Sequence, residues 1–431
     1  MLKDLFPIIE PFPLKAHQDS IRLEARLSGE DIRTWGNIML EGLKIIEFAS
    51  YIAAPGAGGI MTDWGAEVIK IEQPGGDPIR GFFDSIGSDQ SANPVFELDN
   101  RGKRSVVLDT SKPAGREALV RLIKDADVFL TNVRPAALKR ARLDYDSLKA
   151  DHPKLIYCSV TGYGLTGPDA DRPGFDMAAY WARAGVGALT TPKGSEPFPL
   201  RTAMGDHITS LATTSAILAA VVERSRTGVG RLVETSLLRT GVYSIGSDMA
   251  IQLRFGRIAS SRPREGAVNP LGNFFRSGDG RWICLLPRQG SSDWPKIANA
   301  AGRPDLIDDP RFAKAKDRRA NGPELVRTLD QAFAALSFAQ AAERLDAADI
   351  AWSPMQTPAE VAVDPQAIAA GCIVDTPDGK GGTFKAPGGP ARFPGADDGP
   401  KGPAPTMGQH THEILSALGY SDDEILAASG A

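Results

Sequence analysis

Short apolar runs alternate with helical segments that open on proline, and few architectures can bury such a pattern. Leu43–Phe48 and Glu67–Glu72 read as buried strands, separated by a glycine-rich turn and a short helix over Ala57–Trp64. Ser105–Leu108, Val128–Leu130 and Leu155–Val160 continue the strands. Pro113–Lys124 and Pro135–Arg140 read as helices with proline at the first position, where a missing N–H costs nothing. This alternation predicts an α/β fold, a mostly parallel sheet with helices on both faces. Residues 1–38 precede the pattern and read as an N-terminal extension dispensable for folding. A large α/β domain is expected over 39–256 and a polar linker bearing glycine and proline over 257–272. A smaller α+β domain over 273–390 opens on a hairpin, FFR and RWICLL around Ser277-Gly278-Asp279-Gly280, and continues through a helix over Pro323–Asp346. After a Pro/Gly-dense stretch, Pro377–Pro405, residues 391–431 return to the large domain and end in a helix over Thr411–Leu418.

Composition narrows the setting. With 431 residues, 42% hydrophobic and 24% charged, the chain has the balance of a water-soluble globular protein. A net charge of -4 provides no basic field for nucleic acid. The stretch Ile208–Val222 is too short and too polar for a bilayer and reads as a buried helix, and no secretory leader is legible, so a cytoplasmic protein is expected. Cys158, Cys284 and Cys372 lack metal spacing; the first two sit in apolar runs and read as buried thiols.

Chemistry concentrates at Pro173-Gly174-Phe175-Asp176-Met177-Ala178-Ala179-Tyr180, where one carboxylate stands at the mouth of an apolar helical segment. An Asp there caps orphan amides of the first turn. The same place lies in the positive field of the helix start, which keeps a carboxylate ionised and its lone pairs available for attack. Asp176 therefore reads as a nucleophile that is also a cap. The turn Ala54-Pro55-Gly56-Ala57-Gly58-Gly59-Ile60-Met61, with Glu72 ending the next strand, nearly matches a dinucleotide fingerprint, but Met61 at the third glycine position and Pro55 argue against a nicotinamide or flavin enzyme. Two basic stretches, Asn100-Arg101-Gly102-Lys103-Arg104 and Asn132-Val133-Arg134-Pro135 with Lys139-Arg140, divide evenly between solvated surface charge and a phosphate grip. Histidine chemistry is thin: His207 follows Asp206 at a helix start and reads as part of a cap.

Several stretches, taken in order from about residue 40, resemble the class III CoA-transferase family, which includes formyl-CoA transferase, the carnitine CoA-transferase and the α-methylacyl-CoA racemase. They are Gly42–Phe48, Gly65–Glu72, Asn100–Asp109, Asn132–Pro135, Gly162-Tyr163-Gly164 with Gly167-Pro168, Gly174-Phe175-Asp176, Arg226–Gly230 and Gly408–Thr411. The resemblance implies a Rossmann-like large domain plus a smaller α+β domain in an interlocked homodimer, with acyl-CoA and carboxylic acids as substrates and neither a resident cofactor nor a metal. It implies Asp176 as the catalytic carboxylate and CoA contacts at Ile52, Ala53, Gln73, Leu108, Asn132, Arg134, Arg140 and Tyr163. The chain departs from the pattern at Gln73, where relatives often carry Arg, and at Ala136, where Gly is common. Asn269–Asn273 stands where formyl-CoA transferase has a multi-glycine loop, which implies a different acyl group.

The implied chemistry is transfer of CoA between two acids through an aspartyl-acyl anhydride and an aspartyl-CoA thioester. Three alternatives compete with it. One is a racemase of the same family pairing Asp176 with His152, another the nucleotide-dependent redox enzyme, and the third a non-catalytic CoA-binding protein.

Overall fold

The computed structural model describes residues 38–87, 92–288 and 292–430. Six strands, β1 (Lys44–Phe48), β2 (Glu67–Glu72), β3 (Arg104–Val107), β4 (Val128–Thr131), β5 (Ile156–Thr161) and β6 (Leu232–Ser236), form one sheet in the order β3-β2-β1-β4-β5-β6. Every pairing is parallel. The expected α/β layering is present, and β6 is an addition, a short run hidden behind the Gly228–Gly230 turn. The N-terminal extension lies outside the described residues except for Ile38.

Both faces of the sheet are covered, as their near-continuous apolar strands require. One face packs Ile45, Val68, Leu130 and Cys158 against the helices Ala53–Asp63 and Met204–Thr227; the other packs Ile46, Ile71 and Phe129 against Pro113–Lys124 and Pro135–Ala141. The chain's end returns to this second face. Ala428 accepts from the Asp109 amide at 2.8 Å, and His410 and Thr411 bond the exposed edge of β3, so this strand has no free edge for foreign pairing. A final helix, Asp422–Ser429, escaped the sequence reading although Ser421 and Glu424 form its capping box.

A separate core is built on β7 (Asn273–Arg276), β8 (Trp282–Leu285) and β9 (Trp352–Pro354), an antiparallel sheet backed by helices. The single helix expected over 323–346 is broken. Gly322–Ala334 ends, and Phe338–Ala347 restarts behind Ser337, whose capping box with Gln340 makes the break. The Pro/Gly-dense stretch begins inside a second hairpin, β10 (Ile373–Pro377) and β11 (Thr383–Pro387). Cys158 is fully buried, but Cys284 is only half-buried, because the alternation of β8 turns Ile283 and Leu285 inward instead. The helix Met204–Thr227 also departs from expectation. Its buried stripe is polar, including Thr209, Ser210, Thr213 and Thr214, while Leu211 and Val222 face outward. Thr209 bonds Thr240, Thr213 bonds Thr235 and Ser210 donates to the Ala53 carbonyl, so three of these buried hydroxyls are satisfied, while Thr214 Oγ1 has no partner among the described residues. No helix among the described residues is long and apolar enough to cross a membrane.

Candidate active site

The strand order reverses between β1 and β4, and a crevice opens beyond their C-terminal ends, where open α/β sheets bind ligands. Two loops leave the strands there and are tied together. The Ser50 amide donates to Asn132 Oδ1 at 3.0 Å, and Asn132 Nδ2 donates back to the Ser50 carbonyl at 2.6 Å. Tyr51 follows with φ +66°, a left-handed conformation that costs a bulky residue about 1–3 kcal/mol and persists only when its surroundings impose it. The imposing contact is Asp77, whose Oδ1 accepts the Tyr51 amide at 3.0 Å.

Asp77 belongs to a buried charge network beneath this loop. Lys70 lies 2.8 Å from Asp77 Oδ2 and 3.2 Å from Glu47 Oε1, and Lys103 lies 2.7 Å from Glu47 Oε2. Lys70 also donates to the Ala49 carbonyl and Lys103 to the Pro55 carbonyl, so the network reaches both ends of the loop. Burial is the largest influence on both lysines. It pulls Lys103 down to about 8, whereas at Lys70 the attraction of Glu47 and Asp77 overcomes it and the pKa is raised. The first basic stretch departs from expectation. Arg101 and Lys103 are neither surface charge nor a phosphate grip, since Arg101 is buried on Asp63 and Lys103 on Glu47. The near-fingerprint also dissolves. Glu72, which would face a ribose, is held by Arg80 at 2.7 Å and by Ser105 at 2.6 Å. Gly58 is small for the network's sake, because a Cβ there would fall 2.1 Å from Glu47 Oε2.

Beyond β5, the Gly162 and Gly174 backbones cross. A Cβ on Gly174 would lie 2.7 Å from Gly162 Cα and 3.1 Å from the Tyr163 ring, so no larger residue fits and the 173–176 loop is held against the strand end. Asp176 comes next, and its Oδ1 accepts the Met177 amide at 2.7 Å. The expected cap is present in altered form. Met177–Arg183 winds as a π-helix, Asp176 is itself already helical (φ -55°, ψ -42°), and it therefore caps the first amide rather than the second or third. Its other oxygen, Oδ2, is cut off from solvent and has no hydrogen-bond partner, a costly state for a carboxylate.

A second carboxyl stands at the cleft. Asp206, in the first turn of the 204–227 helix, lines it together with Phe175, Thr161 and Asn132. Burial, and then the charge of Asp176, push its pKa up to about 7. The helix has no side-chain cap, and His207 is not one: its Nε2 pairs with Asp99 Oδ1 at 3.2 Å, and that bond raises the imidazole's pKa. Sequence reasoning assigned Asp206 and His207 only to a cap, since nothing local shows that they meet Asp99 and Asp176. Because Asp206 holds its proton more tightly folded than unfolded, its contribution to stability is lost as pH rises from about 4 through about 7. Asp206→Asn should therefore stabilise the protein at pH 8 by on the order of 2 kcal/mol, discounted for partial solvent contact, and by little at pH 4. Thermal melts of both proteins across that range check the sign.

The remaining residues expected to touch a ligand divide. Ala53, Asn132 and Arg134 line the cleft, and Tyr163 packs behind it on Gly174. Gln73 lines a second groove on the other side of the Ser50–Asn132 clamp, donating to Thr110 Oγ1 at 2.7 Å. Arg140 is exposed and shares a basic groove with Lys112, Arg116 and Arg142. Ile52 and Leu108 are buried in cores, so only their backbones are placed to meet a ligand. His152 lines a groove with Asp144 and Asp171 and is not among the residues lining the cleft of Phe175 and Asp206.

A parallel sheet with a carboxylate at its switch-point crevice defines a class of ligand-binding α/β enzyme, and sequence comparison narrows it. The model of CoA-transferase family III matches residues 40–411. The chain is 35% identical over 391 residues, 90% of itself and 97% of the relative, to the (R)-2-hydroxy-4-methylpentanoate CoA-transferase of Clostridioides difficile. It is 33% identical over 395 residues, 90% of itself and 95% of the relative, to the cinnamoyl-CoA:phenyllactate CoA-transferase of Clostridium sporogenes. A CaiB/BaiF family protein from Brucella suis superposes with a TM-score of 0.78 at 31% identity, covering 89% of this chain and 100% of that one. The chain belongs to CoA-transferase family III and is a CoA-transferase.

Proposed function

We propose that the enzyme moves CoA between two carboxylic acids through covalent intermediates on Asp176. The observation that carries this reading is the position of Asp176, next in the chain to the cleft-lining Phe175 and near enough to the cleft-lining Asp206 for its charge to raise that residue's pKa. Asp176 attacks the carbonyl carbon of the donor thioester; the C–S bond breaks, leaving a mixed anhydride and CoA thiolate. The thiolate attacks the aspartyl carbonyl, expels the donor acid as its carboxylate and leaves an aspartyl-CoA thioester. The acceptor carboxylate then repeats the two steps in reverse order, and Asp176 is regenerated with no net proton transfer. Forming a thiolate of pKa about 8.5 at the expense of a carboxylate of pKa about 4 is uphill, and binding of the remote nucleotide end of CoA offsets it.

Of the amides at the helix start, those of Ala178 and Ala179 are committed to the Phe175 carbonyl and cannot serve an oxyanion. The Met177 amide has a narrower use. It already bonds Asp176 Oδ1, so when the aspartyl carbonyl is attacked it lies on the oxygen that gains charge. In this reading CoA runs from the basic groove at Arg140, past Gln73 and over the Ser50–Asn132 clamp, to the cleft. Arg140→Ala should weaken CoA thioester binding by about 1.5–3 kcal/mol, roughly 10- to 150-fold, with the fold intact. Titration calorimetry at low and high salt tests this, and unchanged affinity would return Arg140 to plain surface charge.

We also assign 39–256 with 391–431 to the CoA-binding domain and 273–390 to the small domain, joined by 257–272, in an interlocked homodimer. The separate cores support the division, and the outward apolar residues Tyr243, Leu253 and Phe255, 86%, 78% and 69% exposed, support a covering partner. The racemase alternative is disfavoured by the transferase names of both curated relatives and by the position of His152. One experiment separates the two: acyl-CoA incubated in deuterium oxide with and without an added acid. New acyl-CoA formed only with the acid supports transfer, and α-deuteration without it supports racemisation.

A further inference from the structure

We propose that Tyr51 and Phe175 form the wall that selects the acyl group, and that the acids it favours carry an aryl or branched alkyl side chain. This rests on Asp176 being the reacting carboxylate. The two rings meet edge to face, with centroids 5.4 Å apart and an interplanar angle of 86°. They come from opposite sides of the crevice, Tyr51 from the loop after β1 and Phe175 from the residue before Asp176. Within the chain both rings are exposed, 40% and 56%.

The backbone is arranged to keep them there. Tyr51 has a left-handed φ that its side chain would not choose. The flanking chain is tied on each side, by Ser50 to Asn132, by Tyr51 to Asp77, and by the Gly56 amide to the Ile52 carbonyl at 2.6 Å. Phe175 is anchored through its carbonyl, which accepts the amides of Ala178 and Ala179 at 3.0 and 2.8 Å. Strain maintained by this many contacts at a cleft marks a conformation kept for what it presents. What it presents is an edge-on aromatic pair, and the cleft between the rings and Leu237 is further lined by Val160 and Pro173. A flat or branched hydrocarbon chain packs well on such a surface, whereas a one- or two-carbon acid leaves it wet. The same cleft also holds Arg134 and Arg172, so the competing occupant is a dicarboxylic acid whose second carboxylate they would bind.

The test is an acceptor competition with one donor thioester and three acids, 3-phenylpropanoate, acetate and succinate, each read on the same sample so that any unfolded fraction cancels. The ratio of kcat/KM for 3-phenylpropanoate over acetate is expected to exceed about 10 in the wild type and to fall about tenfold in Tyr51→Ala and in Phe175→Ala. Phe175→Leu should retain most of it. Because the rings touch, the double variant should lose less than the two single losses multiplied together. Ratios unchanged by either substitution would overturn the wall. So would a wild-type preference for succinate that Arg134→Ala or Arg172→Ala removes. Failure of the underlying reading looks different: transfer surviving in Asp176→Asn sinks the nucleophile whatever the ratios do, while altered ratios with an inactive Asp176→Asn support both.

Discussion

Asp176→Asn should lose transfer by on the order of 10⁴-fold or more, the scale on which removing a nucleophile acts, while CoA thioester binding persists. The substitution is informative because the amide oxygen still accepts the Met177 amide, so the local turn is preserved and only the attacking carboxylate is lost. A merely structural Asp176 predicts the opposite outcome, an Asn variant with near-normal turnover. Hydroxylamine added with a donor thioester should then derivatise the wild-type peptide containing Asp176 and leave the Asn variant unmodified. Labelling of a different carboxylate, Asp206 above all, would move the covalent step elsewhere in the same cleft.

Glu47→Gln should cost about 3–5 kcal/mol of stability, the range for breaking a buried ion pair, because one carboxylate serves two buried ammonium groups. Urea titrations measure it. Lys70 keeps Asp77 as a partner, but Lys103 is left with the Pro55 carbonyl and Asn100. Its folded pKa, already about 8 beside Glu47, lies below the ordinary 10.5, so the unfolded chain binds more protons between those values and stability rises with pH there. Losing Glu47 lowers that folded pKa further, so the gap between variant and wild type should narrow from pH 7 to pH 9. Glu47→Gln combined with Lys103→Met should recover much of the loss. A single-variant cost below about 1 kcal/mol would mean that the network relaxes or hydrates and does not hold the Tyr51 loop.

Much of the fold was legible because its signals are local. Proline at the first helical position marked Pro113–Lys124 and the start of Pro135–Ala141, and short, mostly apolar runs marked β1, β2, β4 and β5. Misreadings arose where a local cue was weak or was outvoted. The capping box at Ser337 divided what looked like one amphipathic helix, and Thr209 and Thr213 faced inward on 204–227 because hydroxyls of Thr240 and Thr235 met them there.

By itself the sequence determined the parallel α/β class, the ordered family motifs and the place of Asp176 at the start of a helical segment, since periodicity, proline placement and a carboxylate before a helix are properties of neighbouring residues. Tertiary structure alone decided what the charges do. Arg101 and Lys103 stand in a run that reads as solvated or phosphate-binding, and only the approach of Asp63 and Glu47, 38 and 56 positions away, makes them buried supports. It also decided that Asp206 stands with Asp176 and that Tyr51 is driven against Phe175. Electrostatic fields and ring contacts act through space, over a few ångströms that chain order does not record.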